Sequence, residues 1–530
     1  MDEVSWSPLE NLWTRLRDDR LNSDVEHELK GALKDAGAAA LILFKARAPE
    51  IGLTESTFDP WLNRNGHIPG GPTATPVEVG DRESKPLIGD LTNAERLVDQ
   101  HGADLRYCHP WRKWLVWDAV RWKIDDTGAV RRFAKETVRS IYQEAANLAD
   151  EGLRKAVARW AQQSESESRI EAMISLAATE ASIPILPDEL DKDLWLLNCP
   201  NGTFDLKEGV FREHRREDLL TKVTGAPYDA LAEAPLWKAF LEHIFERDRE
   251  RIGFVKRMAG YSLTGDVRER VMATLYGGGR NGKTTLVEAQ ADAMGDYALR
   301  TPTETFFARK DNSIPNDKAR LRGSRFVYAS EGEEGRRLAE AFIKDATGGD
   351  TISARFLHGE WFEFKPTFKL WLSTNHKPEI RGTDSAIWDR IRLIPFNVRI
   401  SDEELDPLLS GKLKGELSGI LTWLIEGCME WAVSGLGNAP SIEEATKSYR
   451  EEMDILATFL EECCVLHPQA SVPRVRLHKA YIGWCEQSSE RALDNTKFNA
   501  KLRERGIEEV RHGQTGRFWR GLGLLVDTET

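Results

Sequence analysis

Apolar side chains recur along this chain at two spacings, one typical of helices and one typical of strands. From Pro235 onward, Phe240 and Ile244 lie on one face of an expected helix. A second face follows the positions i, i+3, i+4 and i+7 and consists of Leu477, Ala480, Tyr481 and Trp484. Elsewhere, short runs of aromatic and β-branched residues end at turn residues, as strands do. The sequence therefore predicts a multidomain α/β fold.

Some neighbouring β-prone runs are separated only by short turns, which predicts antiparallel hairpins. The pairs are 114–117 with 121–124, the runs between 196 and 211, 353–357 with 360–365, and the two halves of 510–520. The many tryptophans around the first pairs are compatible with base stacking. Core packing of these large apolar rings is the favoured interpretation.

Composition limits the class of protein. A chain of 530 residues is long enough for several domains, and 41% hydrophobic with 30% charged residues is typical of a globular protein. The longest apolar run, 38–44, is too short to cross a membrane, so no membrane partner is expected. The first residues lack the layout of a signal peptide, and the six cysteines include no C-x-x-C pair. Together these features predict a cytoplasmic protein with reduced thiols.

Charge is distributed unevenly along the chain. The formal net charge is −13, which argues against a protein covered with nucleic acid. Residues 471–521, however, hold eleven Lys and Arg against six Asp and Glu, a local charge of +5 that leaves −18 for the remainder. The sequence therefore predicts a small cationic module, suited to nucleic acid, on an acidic body.

The clearest motif is a glycine-rich turn between the apolar run 271–276 and a helical pattern that starts at Leu286. It fits G-x-x-x-x-G-K-[ST], the loop whose backbone N–H groups surround a polyphosphate at a helix N-terminus. Lys283 is expected to neutralise the terminal phosphates, and Thr284 to offer its hydroxyl to Mg²⁺. The residues predicted to contact the nucleotide are Gly277, Gly278, Gly279, Arg280, Asn281, Gly282, Lys283, Thr284 and Thr285.

Polar residues follow the β-prone runs downstream of this loop. One run ends at Glu331, a carboxylate that would hold the Mg²⁺ shell and activate water, or else lie in a solvated acidic turn. A later run ends near Asn375, whose amide can hydrogen-bond both the γ-phosphate and the attacking water. An arginine in the stretch from Asp384 to Phe396 would stabilise the charge of phosphoryl transfer, or merely pair with Asp384 or Asp389.

Six stretches together resemble the phage and plasmid primase-helicase family, whose relatives include the poxvirus primase-helicase and whose ATPase core belongs to helicase superfamily 3. They occur in the family's order and cover most of the chain from residue 92 onward. The stretches are NGTFDL at 201–206, GYSLTG at 260–265, GRNGKTT at 279–285, KDATGGD at 344–350, STNHKP at 373–378 and IWDRIR at 387–392.

The resemblance implies a role for each matched polar residue of the nucleotide site. Lys283 and Thr284 would bind ATP phosphates and Mg²⁺. Glu331, helped by Glu333, would be the acidic motif, and Asn375 would be the polar sensor of the γ-phosphate. ATP and Mg²⁺ are therefore the expected cofactors.

The resemblance also implies a homo-oligomeric ring, usually a hexamer. Arg390 would be a finger inserted into the neighbouring subunit's site, so that two copies complete each site. Relatives often carry two adjacent arginines in this segment, whereas here Asp389 precedes Arg390. That departure leaves Arg392 as a rival candidate for the finger.

The hairpin at 355–365 lies where such helicases place a DNA-tracking element. Arg355, His358 and Lys365 would contact the strand there. The hairpin is not strongly basic, because acidic side chains offset this charge, and plain core β structure is the alternative. The sequence supports a role in DNA binding and a role in the core equally.

The cationic C-terminal module combines a helix over 496–505 with a basic hairpin over 510–520. This combination resembles a winged helix with contacts to the DNA backbone, and a solvated cationic face is the alternative. The residues predicted to contact DNA are Lys497, Lys501, Arg505, Arg511, Arg517 and Arg520.

Family members often carry an N-terminal primase domain built on a D-x-D carboxylate pair. Residues 1–90 are too short for that domain and contain no D-x-D. The one such spacing, Asp191 and Asp193, lies in a segment to which the family assigns no catalysis. A primase is therefore expected to be absent or supplied by a separate chain.

These observations predict a P-loop NTPase core of the AAA+-like superfamily 3 type, with an α+β N-terminal collar and a C-terminal winged-helix domain. An N-terminal segment and linker of unknown role is expected to precede them. The expected limits are 1–90 for this segment, 91–235 for the collar, 236–400 for the ATPase, 401–455 for a helical bridge and 456–530 for the winged helix.

The expected function is an ATP-dependent, ring-forming replicative DNA helicase of a phage, plasmid or prophage in a bacterial host cytoplasm. It would hydrolyse ATP between subunits to translocate on a single strand or fork and unwind it. One alternative is a factor that ATP assembles on an origin or DNA end without processive unwinding. Another is a motor ATPase that does not depend on DNA.

Overall fold

A computed structural model of the chain describes residues 88–308, 316–330, 335–356, 360–380, 385–488, 492–512 and 516–525. The N-terminal segment expected over 1–90 therefore lies almost wholly outside the described residues. Four residues named in the sequence predictions also lie outside them, namely Glu331, Glu333, His358 and Asp384.

The described part of the chain contains both α-helices and β-strands. The α-helices are α1 (Asp90–His101), α2 (Ala129–Ala146), α3 (Glu151–Ser164), α4 (Glu167–Ala177), α5 (Pro235–Ile244), α6 (Arg249–Tyr261), α7 (Lys283–Met294), α8 (Asn316–Ala319), α9 (Glu340–Gly348), α10 (Ser385–Trp388), α11 (Leu409–Lys414), α12 (Leu417–Ser434), α13 (Pro440–Glu452), α14 (Ile455–Cys463), α15 (Arg474–Gln487) and α16 (Asn495–Glu504). The strands are β1 (Leu105–Cys108), β2 (Lys113–Trp117), β3 (Trp122–Ile124), β4 (Leu196–Cys199), β5 (Gly202–Asp205), β6 (Val210–Arg212), β7 (Met272–Tyr276), β8 (Ala298–Arg300), β9 (Phe326–Ser330), β10 (Ile352–Ala354), β11 (Phe362–Phe364), β12 (Lys369–Thr374), β13 (Ile391–Pro395), β14 (Cys464–Pro473), β15 (Glu508–His512) and β16 (Gly516–Leu524). None of the described helices combines the length and the apolar character that crossing a membrane requires.

The first described part packs helices against a small antiparallel sheet of β1, β2 and β3. Helices α1, α2 and α4 share a core with this sheet that includes Leu97, Val138 and Met173. The predicted pairing of 114–117 with 121–124 is confirmed, because Trp117 lies opposite Trp122 in an antiparallel register. Trp122 is only 1% exposed, so this tryptophan packs in a core, as predicted.

The centre of the structure is a five-stranded sheet in the order β13-β7-β12-β9-β8, in which every pair is parallel. All residues of β12 are buried, as expected for a strand covered on both faces. Because the strands run in one direction, their carboxyl ends meet at one edge of the sheet. Strand β7 lies between β13 and β12, so the loop that follows β7 opens between the ends of its two neighbours. The predicted multidomain α/β fold is confirmed, and its central sheet is parallel.

A second antiparallel sheet, β4-β5-β6, packs against the amino ends of the main sheet. Arg325, just before β9, is 3% exposed. Its guanidinium donates to the carbonyl oxygen of Leu263 at 2.7 Å and to that of Leu196 in β4 at 2.9 Å. A buried charge is strongly destabilising unless such acceptors surround it, so these hydrogen bonds hold the small sheet against the core.

The C-terminal part folds around a sheet in the order β14-β16-β15. Helices α14, α15 and α16 share its core, which contains Phe459, Tyr481, Phe498 and Trp519. The helix carrying Tyr481, the helix near 496–505 and the hairpin near 510–520 are all present, as predicted. Strand β14, which pairs with the other edge of β16, was not predicted.

Helices α6 and α12 cross where glycines let their backbones touch. A Cβ atom on Gly427 would lie 2.2 Å from the carbonyl oxygen of Lys256, and one on Gly260 would lie 2.1 Å from the backbone nitrogen of Cys428. Real side chains do not tolerate such distances, so any larger residue would push the helices apart. Helix α6 leads into β7, so this crossing also positions the strand that carries the glycine-rich loop.

Replacing Gly427 by alanine should destabilise the protein by about 1–3 kcal/mol, because the added methyl group cannot fit between α6 and α12. Thermal unfolding followed by fluorescence measures the change. Gly483→Ala is the matched control, since Gly483 is also helical but nothing lies within 4 Å of its Cβ position. The control should be neutral or stabilising. Equal unfolding temperatures for Gly427→Ala and wild type would contradict the close helix crossing.

Candidate nucleotide site

The glycine-rich loop joins β7 to α7 at the carboxyl edge of the main sheet. Its backbone is left-handed at Gly279 (φ 88°), Arg280 (φ 49°) and Gly282 (φ 82°). Left-handed residues in a tight turn form the concave arrangement of N–H groups that binds anions. The non-glycine residue Arg280 is held in this conformation by its backbone oxygen, which accepts a hydrogen bond from Ile400 at 2.8 Å, and by an ion pair with Asp402.

Two glycines of the motif are required by the space around them. A Cβ atom on Gly282 would lie 2.7 Å from the side chain of Ile244 in α5. One on Gly277 would lie 2.4 Å from the backbone oxygen of Phe396. The loop is therefore enclosed by α5 on one side and by the end of β13 on the other.

Lys283 is the first residue of α7, and only 5% of it is exposed. Its Nζ donates to the backbone oxygen of Gly277 at 2.7 Å, to Oδ1 of Asn281 at 2.9 Å and to Oδ1 of Asn375 at 3.0 Å. All three acceptors are neutral, and burial lowers the pKa of the ammonium group to about 8. An anionic phosphate would supply the negative charge that this buried cation lacks.

Asn375 reaches Lys283 because of the strand order. It directly follows β12, and β12 is the neighbour of β7 in the sheet. The structure thus brings together the predicted phosphate-binding lysine and the predicted sensor amide. Asn375 is also exposed and lines the cleft.

A cleft of about 470 Å³ lies over the loop. Its polar side consists of the loop and the start of α7. The apolar side chains Leu236 and Phe240 of α5, with Leu405 and Leu409, line another part of the cleft, together with polar residues that include Glu404 and Asp406. A cleft that places apolar side chains beside a phosphate-binding loop fits a nucleoside triphosphate, whose base would contact those side chains.

Thr284 and Thr285 lie in the first turn of α7 and line the same cleft. Free backbone N–H groups and the positive end of the helix dipole are found at such a position. The exposed hydroxyl of Thr284 is the hard oxygen ligand that Mg²⁺ prefers, so the described part of the site fits a Mg²⁺–triphosphate. Glu331 and Glu333, the predicted acids after β9, lie outside the described residues.

Arg390 lies at the opposite edge of the sheet. It directly precedes β13, in which Ile391 pairs with Met272 at the amino end of β7. At the other end of the same pair, Pro395 lies opposite Tyr276, next to the glycine-rich loop. The strand between these ends is about 15 Å long at the usual rise per residue. Arg390 is therefore remote from the glycine-rich loop of its own chain.

Both candidate finger arginines are hydrogen-bonded within the chain. Arg390 Nε donates to the hydroxyl of Thr347 at 3.0 Å. Arg392 Nη1 donates to the backbone oxygens of Asp389 at 2.8 Å and Ile391 at 3.0 Å, and burial lowers the pKa of its guanidinium. Within the described residues, neither arginine forms an ion pair with the Asp389 carboxylate. Both side chains are half-buried, so exposure does not separate the two candidates.

The predicted hairpin is formed by β10 and β11, which pair antiparallel. Lys365 is exposed just after β11. The guanidinium of Arg355 lies 4.9 Å from the centre of the Trp361 ring, so its charge is stacked on an aromatic face. His358 lies outside the described residues.

The C-terminal cations differ in how far they are free to bind a ligand. Arg505 pairs with both carboxylate oxygens of Asp454, and Lys501 is half-buried with a lowered pKa caused by burial. The exposed cations include Lys497, which lies 3.3 Å from a carboxylate oxygen of Asp494. Arg511 is exposed, and the described residues offer it no ion pair. Arg511 is thus the predicted DNA contact whose charge is the least compensated.

One carboxylate organises the remaining C-terminal arginines. Glu509 in β15 accepts hydrogen bonds from Arg503, from Arg474 at 2.6 Å and from Arg517 at 3.2 Å. The bond from Arg503, followed by those from the other two, lowers the pKa of Glu509 to about 2. Arg520 lies farther from an acid, 3.8 Å from Glu508. The cationic face is therefore partly tied to the fold by its own acidic residues.

The D-x-D pair has local structural partners. Asp191 accepts a hydrogen bond from the backbone nitrogen of Thr221 at 2.7 Å, and Asp193 accepts one from that of Trp195 at 2.9 Å. Each carboxylate thus stabilises a loop of the small-sheet region.

Sequence reasoning missed the apolar walls of the cleft. Phe240 was expected only as part of a buried helix face, and Leu405 and Leu409 had no predicted role. The signal in the sequence is a set of leucines inside the acidic stretch 402–410, of which Leu405 and Leu409 line the cleft. Strand pairing alone could not have shown that this stretch folds beside α5.

Three families match successive parts of the chain. A "D5 N terminal like" family matches residues 94–246, a family of unknown function matches residues 275–390, and a "Poxvirus D5 protein-like" family matches residues 451–518. The middle match contains the glycine-rich loop and Arg390. These matches confirm the resemblance predicted from the motifs.

The curated relatives are proteins of large DNA viruses. The chain is 28% identical to Putative helicase L207/L206 of Acanthamoeba polyphaga mimivirus, over 52% of this chain and 31% of that protein. It is 25% identical to Putative helicase 022R of Frog virus 3, over 58% of this chain and 40% of that protein. It is 24% identical to Putative primase C962R of African swine fever virus, over 38% of this chain and 23% of that protein. The chain thus spans well under half the length of these relatives.

Among solved structures, the C-terminal region of NrS-1 (305-718) resembles 82% of this chain and 99% of its own length. The sequence identity is 11% and the TM-score is 0.46. A second form of the same region gives a TM-score of 0.47.

Nucleotide binding should draw a proton onto Lys283 near pH 8. With a pKa of about 8, roughly half of the free protein is neutral at this position, and bound phosphates would restore the charge, so about half a proton is taken up per nucleotide. At pH 6.5 the lysine is already charged, and this contribution disappears. Titration calorimetry in buffers of different ionisation enthalpy measures the uptake.

Lys283→Arg provides the control for this measurement, because a guanidinium stays charged throughout this pH range. Residual nucleotide binding to this variant should involve no uptake at pH 8. If wild type and variant take up the same number of protons, the proton does not belong to Lys283.

Proposed function

We propose that this chain, whose sequence is D5-like on both sides of a nucleotide-binding core, is an ATP-hydrolysing DNA helicase that works as a ring. ATP would bind in the cleft of one subunit, and the neighbouring subunit would supply Arg390. The observation that carries this proposal is the position of Lys283 and Arg390 at opposite edges of one parallel sheet. A single molecule cannot bring both to one phosphate, whereas head-to-tail contacts around a closed ring can.

The residues of the site would divide the work of hydrolysis. The glycine-rich loop and Lys283 would bind the β- and γ-phosphates, and Thr284 would hold Mg²⁺, which neutralises phosphate charge. Asn375 would orient the γ-phosphate and the attacking water. Glu331, helped by Glu333, would complete the metal shell and activate that water.

DNA contacts in this proposal come from two elements. The first is the β10–β11 hairpin with Arg355, His358 and Lys365. The second is the C-terminal module, where a three-stranded sheet beside α15 and α16 supports the winged-helix assignment. The proposed backbone contacts there are Lys497, Lys501, Arg505, Arg511, Arg517 and Arg520.

Several finer features are part of the same proposal. These are the domain limits 91–235, 236–400, 401–455 and 456–530, the hexameric number, the replicative role and a separate primase chain. The named relatives are viral proteins, two of them called helicases, which supports DNA as the substrate. A phage, plasmid or prophage source and a bacterial host cytoplasm rest on the motif resemblance alone.

Unwinding of a forked duplex separates this function from its alternatives. A ring helicase unwinds the fork with ATP and Mg²⁺. An origin- or end-recognition factor binds the same DNA without processive unwinding, and a DNA-independent motor hydrolyses ATP at a rate that DNA does not change.

Mixing two inactive variants should restore ATPase activity if Arg390 acts in the neighbouring subunit. Lys283→Ala removes the phosphate contact and Arg390→Ala removes the finger, so each protein alone should lose at least about 100-fold in turnover. In rings assembled from equal amounts, about a quarter of the interfaces combine an intact loop with an intact arginine. Steady-state phosphate release, with the ring size checked by light scattering, measures the rescue.

The same mixing with Arg392→Ala in place of Arg390→Ala decides between the two arginines. If Arg392 is the finger, the Arg392→Ala variant alone is inactive whereas Arg390→Ala is active, and mixing Arg392→Ala with Lys283→Ala restores activity. The absence of rescue in both mixtures, with mixed rings shown to form, would refute a site shared between subunits.

Arg511→Ala and Arg505→Ala should have different effects, because Arg511 has no ion-pair partner among the described residues and Arg505 is paired with Asp454. The Arg511 variant should weaken DNA binding and lower the slope of log K against log salt by about 1, without changing the unfolding temperature. The Arg505 variant should lower the unfolding temperature, since the Asp454 carboxylate loses its partner. Fluorescence anisotropy at several salt concentrations and thermal unfolding measure these effects. Unchanged binding by the Arg511 variant would contradict its place on the DNA surface.

A further inference from the structure

The β10–β11 hairpin carries aromatic side chains that a role in phosphate binding does not explain. Of the aromatic residues in the described part of the chain, only Phe356 and Trp361 are exposed by half or more, at 50% and 59%. Both lie beyond the paired strands, whose base is anchored in the core by Ile352 and Phe364. The rings are thus presented to solvent by a hairpin whose base is packed in the core.

These exposed rings are ordered by their neighbours. Phe356 stacks on Phe362 with ring centres 5.6 Å apart and planes 27° apart. The guanidinium of Arg355 lies 4.9 Å from the Trp361 ring, and that of Arg322 lies 5.6 Å from the Phe362 ring. We call Phe356, Trp361 and Phe362, with these two arginines, the aromatic surface. It alternates ring faces with cations, which is the chemistry that proteins use to bind unpaired bases.

The charge around the aromatic surface is too small to bind phosphates strongly by itself. Arg322 is already paired with Asp188 at 2.7 Å. Glu360 and Glu363 lie on the same hairpin and offset the remaining cations. Stacking of bases on aromatic rings, in contrast, requires no net charge and does not depend on base sequence.

We propose that the aromatic surface stacks against the bases of single-stranded DNA, so that the hairpin grips the strand through base faces. This inference rests on the proposed helicase function and specifies what its hairpin recognises. A duplex cannot use the same surface, because the faces of its bases are covered by their neighbours in the stack. The hairpin therefore selects the unpaired strand.

An abasic oligonucleotide tests this inference, since it keeps the phosphates and lacks the bases. The full chain is titrated with labelled single-stranded DNA and with an abasic strand of equal length, in the presence of a non-hydrolysable ATP analogue. Wild type should prefer the base-bearing strand by about tenfold or more. The double variant Phe356→Ala, Trp361→Ala should lose this preference and bind the abasic strand as wild type does.

Two control variants separate stacking from other effects. Phe356→Tyr with Trp361→Phe keeps aromatic faces and should keep the preference, whereas Lys365→Ala should weaken both strands by the same factor. Basal ATPase activity and ring size of the double alanine variant should equal those of wild type. Loss of the ring in that variant would show that the surface packs against a neighbouring copy, which overturns the inference.

The remaining outcomes are also decisive. A preference that persists in the double alanine variant would overturn base stacking at this surface. Equal binding of both strands by wild type would overturn this inference and leave the proposed helicase function intact. Failure of wild type to bind either strand would contradict the DNA part of the proposed function itself.

Discussion

A buried ammonium group joins the two strand ends on which the nucleotide site depends. Lys283 connects the glycine-rich loop after β7 to Asn375 after β12, using only neutral acceptors. The loop thus has its shape before any ligand binds. The charge of Lys283 remains uncompensated, and burial lowers the pKa of its ammonium group. Preorganised donors in a desolvated site are worth most when negative charge arrives or develops there. Lys283 therefore stabilises the local fold and also favours the binding of an anionic phosphate.

The shared direction of the strands in the main sheet keeps Arg390 away from the nucleotide site of its own chain. All its strands run one way, so everything that follows a strand gathers at one edge, and everything that precedes a strand gathers at the other. Lys283 and Asn375 belong to the first edge and Arg390 to the second. Arg390 can therefore stabilise the transition state only in a site that belongs to another copy of the chain. The ring in our proposal is a consequence of strand direction combined with the position of one arginine.

Local signals made part of this structure predictable. The glycine-rich loop could be predicted from the sequence. The space at Gly277 and at Gly282 excludes any side chain, so glycine is required at both positions, and the motif shows this as two glycines at a fixed spacing. The strand order could not be predicted, because parallel strands are joined by long crossover connections that do not determine which strands become neighbours. Strand β12, for example, lies between β7 and β9 although it comes later in the chain. Strand β14 was missed because most of its residues are exposed, so its sequence lacks the alternation of apolar and polar residues that marks a strand. The pairing of Arg505 was missed because Asp454 is 51 residues away.

Electron cryomicroscopy of the full chain with a non-hydrolysable ATP analogue and Mg²⁺ tests the central claim most directly. The account predicts closed rings in which the phosphates contact Lys283 and Asn375 of one subunit, while a guanidinium from the adjacent subunit reaches the γ-phosphate. A monomer at saturating nucleotide, or a nucleotide whose phosphates lie away from Lys283, would contradict it.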